Sequence, residues 1–94
     1  MKADYDSQAN AVSIDLLDVD RWDDGGEFDE NYCTIAFSRG RVANVGLLYP
    51  SENIHLLEAV AERYHLDAGE LVAAARAALA APDRTVSISE RVAA

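Results

Sequence analysis

Tyr32-Cys33-Thr34-Ile35-Ala36-Phe37-Ser38-Arg39-Gly40-Arg41-Val42-Ala43-Asn44-Val45-Gly46-Leu47-Leu48 decides the fold. Two runs rich in β-branched, aromatic and aliphatic residues flank Arg39-Gly40. Glycine supplies the positive φ that a two-residue hairpin turn needs. The stretch therefore reads as a strand from Tyr32 to Phe37, a tight turn, and a return strand from Val42 to Leu48. Pro50 closes the sheet region, because proline has no N–H to give to a ladder.

Toward the N-terminus, Val12, Ile14 and Leu16 alternate with Ser13 and Asp15, the period-two pattern of a half-buried strand. Met1 to Tyr5 makes an opening strand, and Asp6-Ser7-Gln8-Ala9-Asn10 between the two is rich in turn formers. Asp18 to Asn31 reads as a long polar loop. Toward the C-terminus the pattern changes. Ser51 is a candidate cap for a helix starting near Glu52, with Ile54, Leu57, Val60, Ala61 and Tyr64 at helical spacing. Asp67 is a second cap, and Glu70 three residues on approximates a capping box. Leu71, Val72, Ala75, Ala78 and Leu79 form the next apolar face, and Pro82 ends that helix. Arg84 to Ser89 alternates again, and the backbone of this last strand must pair within its own sheet or with a partner's. The expectation is a single α+β domain over 1–94. It comprises a small antiparallel β-meander over 1–50, two helices over 51–82 on one face, and a C-terminal strand and tail over 83–94.

The chain has 94 residues, half of them hydrophobic, and carries a formal charge of −9. A domain this small buries only about 60–65% of its unfolded surface, so the core is thin. The acidic balance argues against nucleic-acid binding, which needs clustered Lys and Arg. No apolar run approaches the roughly 18 residues a membrane span needs. The opening residues lack a basic region followed by an apolar stretch, so a cytoplasmic protein is expected. One cysteine excludes an internal disulfide framework.

Met1-Lys2, Tyr5-Asp6, Ala9-Asn10-Ala11 with the alternating strand after it, the acidic segment, the turn Arg39-Gly40-Arg41-Val42 and Gly46 together resemble the YuzE-like domain of unknown function, a family of small bacterial proteins. The resemblance covers residues 1–50; the helical half extends beyond it. It implies a small antiparallel sheet and, by analogy with members that look like halves of toxin–antitoxin-type pairs, an antitoxin-like role.

Residues 1–31 hold ten acids and two bases, with Asp18, Asp20, Asp23, Asp24, Glu27, Asp29 and Glu30 inside thirteen positions. The EF-hand pattern fails there: counted from Asp20, Trp22 takes the third position and Asn31 the twelfth. What remains is a solvated acidic segment or a patch that steers a basic partner. Trp22 within it is either an interface anchor or a cap on the sheet edge, and Phe28 can pin the segment to the core. Cys33 stands alone on a strand, and His55 and His65 are ten apart, so the sequence places neither a Cys–His pair nor an i, i+4 zinc pair. Arg39 and Arg41 at the hairpin tip read as a solvated turn or an anion site. The alanine run from Ala73 to Ala81 suits close packing, within the chain or as a dimer seam. Gly25-Gly26 lacks the lysine and hydroxyl of a phosphate loop.

The expected function is thus a non-catalytic protein-interaction module, antitoxin-like or accessory and homodimeric, without a cofactor. Asp18, Asp20, Trp22, Asp23, Asp24 and Glu27 would meet a basic or neutral protein partner. The alternatives are a small-molecule or divalent-metal-binding protein, enzymatic or not, that uses Cys33, His55 or His65 with loop carboxylates, and a purely structural homodimer.

Overall fold

The computed structural model describes residues 1–19, 21–29 and 31–88, the side chains of Glu27 and Asp29 excepted. Six strands form one antiparallel sheet: β1 (Lys2–Asp6), β2 (Ala11–Asp15), β3 (Asp24–Asp29), β4 (Cys33–Ser38), β5 (Arg41–Leu48) and β6 (Thr85–Ser87), in the order β3-β4-β5-β2-β1-β6. Between β5 and β6 lie a one-turn helix α1 (Pro50–Asn53), then α2 (His55–Tyr64) and α3 (Ala68–Ala80). The architecture is α+β, as the strand-then-helix pattern implied.

The β4–β5 hairpin forms where its sequence requires. Ser38 pairs with Arg41, and Arg39 and Gly40 both take positive φ, 51° and 77°. That is the geometry whose twist matches the flanking strands. β5 then turns its other edge to β2, so the β3–β4–β5 meander joins the β1–β2 hairpin edge to edge.

Register sets the faces, because alternate side chains point to opposite sides of a sheet. Ala3, Ile14, Val45 and Ile35 stand in one cross-strand row, and Tyr5, Val12, Leu47 and Cys33 in the next. Both rows join the core with Leu57 and Val60 of α2 and Leu71, Ala74, Ala75 and Ala78 of α3. α3 lies over β1 and β2, and α2 packs against α3. The buried alanines let α3 approach the sheet closely, and its outward side exposes Ala73, Arg76 and Ala80. Each fully buried Leu, Ile or Val contributes about 1.5–3 kcal/mol of burial. Ser13, Asp15, Asn44, Gly46 and Thr34 occupy the opposite face, which α2 and α3 do not cover.

Four local expectations need correction or completion. Asp18 to Asn31 is not all loop: β3 occupies Asp24–Asp29 and pairs with β4. Its glycines and acids have poor strand propensity, and the outer edge of β4 supplies the ladder that overrides it. Phe28 pins this strand, its ring edge-on to Tyr64 at 6.3 Å, while Phe37 meets the same Tyr64 at 5.6 Å. Ser51 is not the cap of the first helix. Tyr49 holds that position with φ 48° and no side-chain cap bond, and Pro50 follows it, its fixed φ suited to a helix start. The single helix expected from Glu52 to Tyr64 is broken at Ile54 into α1 and α2. Finally, β6 pairs within its own chain, antiparallel to β1, with Ala3 opposite Val86. Asp83 secures that return: its carboxylate accepts from the Ser7 N–H at 2.9 Å and the Ser7 hydroxyl at 2.7 Å.

The second cap stands as expected. Asp67 Oδ1 accepts from the Glu70 N–H at 3.0 Å and opens α3. α2 ends at His65 in the left-handed region, φ 57°, with the Leu66 N–H bonded back to the Ala61 carbonyl at 2.9 Å.

Candidate functional site

The acidic segment runs from beyond the end of β2 to β3, which ends the strand order at one margin of the sheet. Its residues take different parts. Asp23 extends the β3–β4 ladder through its N–H to the Phe37 carbonyl at 2.9 Å. Its Oδ2 accepts from the Arg39 N–H at 2.6 Å, so this carboxylate holds the hairpin tip from sixteen residues away. Asp24 Oδ1 accepts from the Gly25 N–H at 2.8 Å. These two acids are exposed but already serve the fold. Glu27 lies in β3, opposite Thr34. Asp20 falls outside the described residues.

Asp18 and Trp22 share a surface pocket of about 640 Å³. Met1, Leu16, Leu17, Val19 and Trp22 provide its apolar lining, and Lys2, Asp15, Asp18 and Arg21 its polar one. The Leu16 N–H donates to the Ala43 carbonyl at 2.8 Å, which ties the start of this segment to β5. Trp22 does not fold into the core: 53% of it is exposed, and Val19 beside it is exposed as well. Sequence reading found Asp18 and Trp22; Met1, Leu16 and Leu17 join them only through the fold, since the alternation of β2 gives no sign that the chain turns there.

A row of carboxylates on the uncovered sheet face escaped the sequence reading. Asp4 and Asp6 alternate along β1, and Asp15 stands diagonal to Asp4 on β2. Partial burial first, then the neighbouring charges of Asp15 and Asp6, raise the Asp4 carboxyl above its ordinary value of 3.8. Beside them Asn44, only 5% exposed, donates to Ser13 Oγ and to Asp15 Oδ1, each at 2.8 Å. The signal was present as period-two alternation, but which strands adjoin had to be known before the row could be assembled.

The residues of the catalytic alternative are not brought together. Cys33 is 1% exposed, inside the core, whereas His55 and His65 are exposed on the helical half. A nucleophile or ligand needs access to its substrate, which the packed core denies Cys33. Among the described residues no group of three or more His, Cys, Asp or Glu side chains is placed to hold a metal ion, and no helix is long and apolar enough to cross a membrane. No family model, curated protein or solved structure matches this chain.

Proposed function

We propose that the chain is a non-catalytic protein-interaction module, antitoxin-like or accessory, whose acidic segment meets a basic protein partner. The observation that carries this reading is Trp22, half exposed on a pocket with an apolar floor whose charged lining is Asp15 and Asp18 together with Lys2 and Arg21. Tryptophan is among the residue types most enriched at interface hot spots. The surrounding charge steers: residues 1–31 carry a net −8 of the total −9, and such a field raises association rates with a cationic surface at low salt. Kinship with the YuzE-like domain, a cytoplasmic bacterial setting and a homodimeric state belong to the same proposal. The kinship rests on the turn and strand residues quoted above.

The test is capture from lysate of the source organism on immobilised wild-type chain and on Trp22→Ala, with elution in salt steps read by mass spectrometry. A basic protein held by the wild type, released as the Debye length shrinks and missing from the Trp22→Ala eluate is the expected result. Identical eluates from both columns would refute the Trp22 surface, and release insensitive to salt would refute the electrostatic part.

A further inference from the structure

Gly46 lies in mid-β5 on the face that α2 and α3 leave uncovered, between Ser13 of β2 and Thr34 of β4. A side chain there would fill the space above the sheet: an added Cβ comes within 2.5 Å of Thr34 Oγ1. Its absence helps open a depression of about 540 Å³ that runs across the strands. Ser13, Gly46 and Thr34 belong to its floor, Tyr32 and Leu48 to one end, and Asp4 and Asp6 to the other. Tyr32 and Leu48 are both exposed apolar groups. Tyr32 is braced by Tyr49, edge-on at 6.1 Å, and Tyr49 is itself held through its N–H to the Asn10 carbonyl at 2.8 Å. A braced aromatic loses little freedom when covered, which favours its use as a contact.

The opposite end is acidic: Asp4 and Asp6 stand two residues apart on the same face of β1, and both border the depression. A cation placed between these two carboxylates would offset their mutual repulsion. The strand order β4-β5-β2-β1 separates Tyr32, beside β4, from the acidic end by three strand spacings, about 14 Å, with Leu48 on β5 one spacing nearer. That is too far for a single small amine that also reaches Tyr32, but it matches about four residues of extended chain at about 3.3 Å each.

We propose that this depression binds an extended segment of a partner polypeptide carrying an arginine or lysine for Asp4 and Asp6 and, about four residues away, an apolar side chain for Tyr32 and Leu48. The site shares no lining residue with the Trp22 pocket, so it stands or falls independently of that surface.

The probe is the blocked pentapeptide acetyl-Leu-Ser-Thr-Ser-Arg-amide, titrated into the isotope-labelled full chain and followed by amide NMR shifts. Saturable shifts at Ser13, Gly46 and Leu48 are expected. Asp4→Asn should weaken binding about three- to tenfold, as loss of one side of a partly exposed charge pair does. Tyr32→Ser should weaken it comparably, and a peptide with glutamate in place of arginine should not bind. The proposal is overturned by any of four results: no saturable shift up to about 5 mM peptide, equal binding of the glutamate peptide, unchanged affinity in Asp4→Asn, or shifts confined to residues around Trp22. Concentration-dependent shifts of these same residues without peptide would also overturn it, because a second copy of the chain would then be the occupant.

Discussion

Replacing Gly46 by alanine should destabilise the chain through one atom. The added Cβ meets Thr34 Oγ1 at 2.5 Å, and its next contact, Thr34 Cβ, is at 3.9 Å, an ordinary van der Waals distance. The Thr34 side chain must therefore leave its rotamer or the two strands must part. A forced rotamer costs about 0.5–1.5 kcal/mol and overpacking about 1–3 kcal/mol, so Gly46→Ala should cost about 1–2 kcal/mol. Thr34→Ala removes the offending oxygen. In that background alanine at 46 meets only the 3.9 Å contact, and the smaller backbone entropy of its unfolded state returns about 0.4–1 kcal/mol. The unfolded-state term is common to both backgrounds and cancels, so the cycle reads the relieved clash alone, a coupling of about 1–2 kcal/mol. Urea unfolding followed by far-UV circular dichroism on the four members of the cycle measures it. A coupling inside the roughly 0.3–0.5 kcal/mol expected of independent sites would refute the reasoning.

Other perturbations have equally definite outcomes. Asp67→Ala deprives the Glu70 N–H of its acceptor and should lower unfolding free energy by about 1 kcal/mol in the same denaturant assay. His65→Gly should raise it by about 0.5–1 kcal/mol, because a non-glycine residue at φ 57° bears the strain of the left-handed region. The Ser7 N–H first and its hydroxyl second hold the Asp83 carboxyl below its ordinary 3.8. A carboxyl lowered in the folded state stabilises above 3.8 and loses that contribution as pH falls through the folded value. A carboxyl-carbon NMR titration should therefore place the Asp83 midpoint below 3.8, and Ser7→Ala should move it part of the way back, since the N–H remains. A midpoint unmoved by Ser7→Ala would contradict the role given to the hydroxyl.

The parts of the fold legible in sequence are those fixed by neighbours in the chain. The Arg39-Gly40 turn, the alternation of Val12 and Ile14, the stripe Leu57-Val60-Ala61 and the Asp67 cap are all local, and all stand in the structure. What escaped depends on distant partners. β3 forms because the outer edge of β4 needs hydrogen bonds, not because Asp24-Gly25-Gly26 favours extension. The partner of β6 is β1, some eighty residues earlier, and nothing within Thr85-Val86-Ser87 encodes that choice. The helix begins earlier than Ser51 suggested, at Tyr49 and Pro50, and Ile54 separates its first turn from α2. The candidate site divides in the same way. Asp18 and Trp22 stood out by composition, whereas the bond from Arg39 to Asp23 and the row Asp4, Asp15, Asn44 exist only once register is set. Chemistry-bearing types alone misdirect here: Cys33 is buried in the core while His55 and His65 face solvent.

The most direct test of the account is the footprint of the captured partner on the full-length chain, read by amide hydrogen exchange with and without that partner. The account predicts protection centred on residues 16–24, around Leu16, Leu17, Val19 and Trp22, and fading as salt rises. Protection confined to the outer side of α2 and α3, with the Trp22 segment exchanging as it does in the free chain, would contradict it.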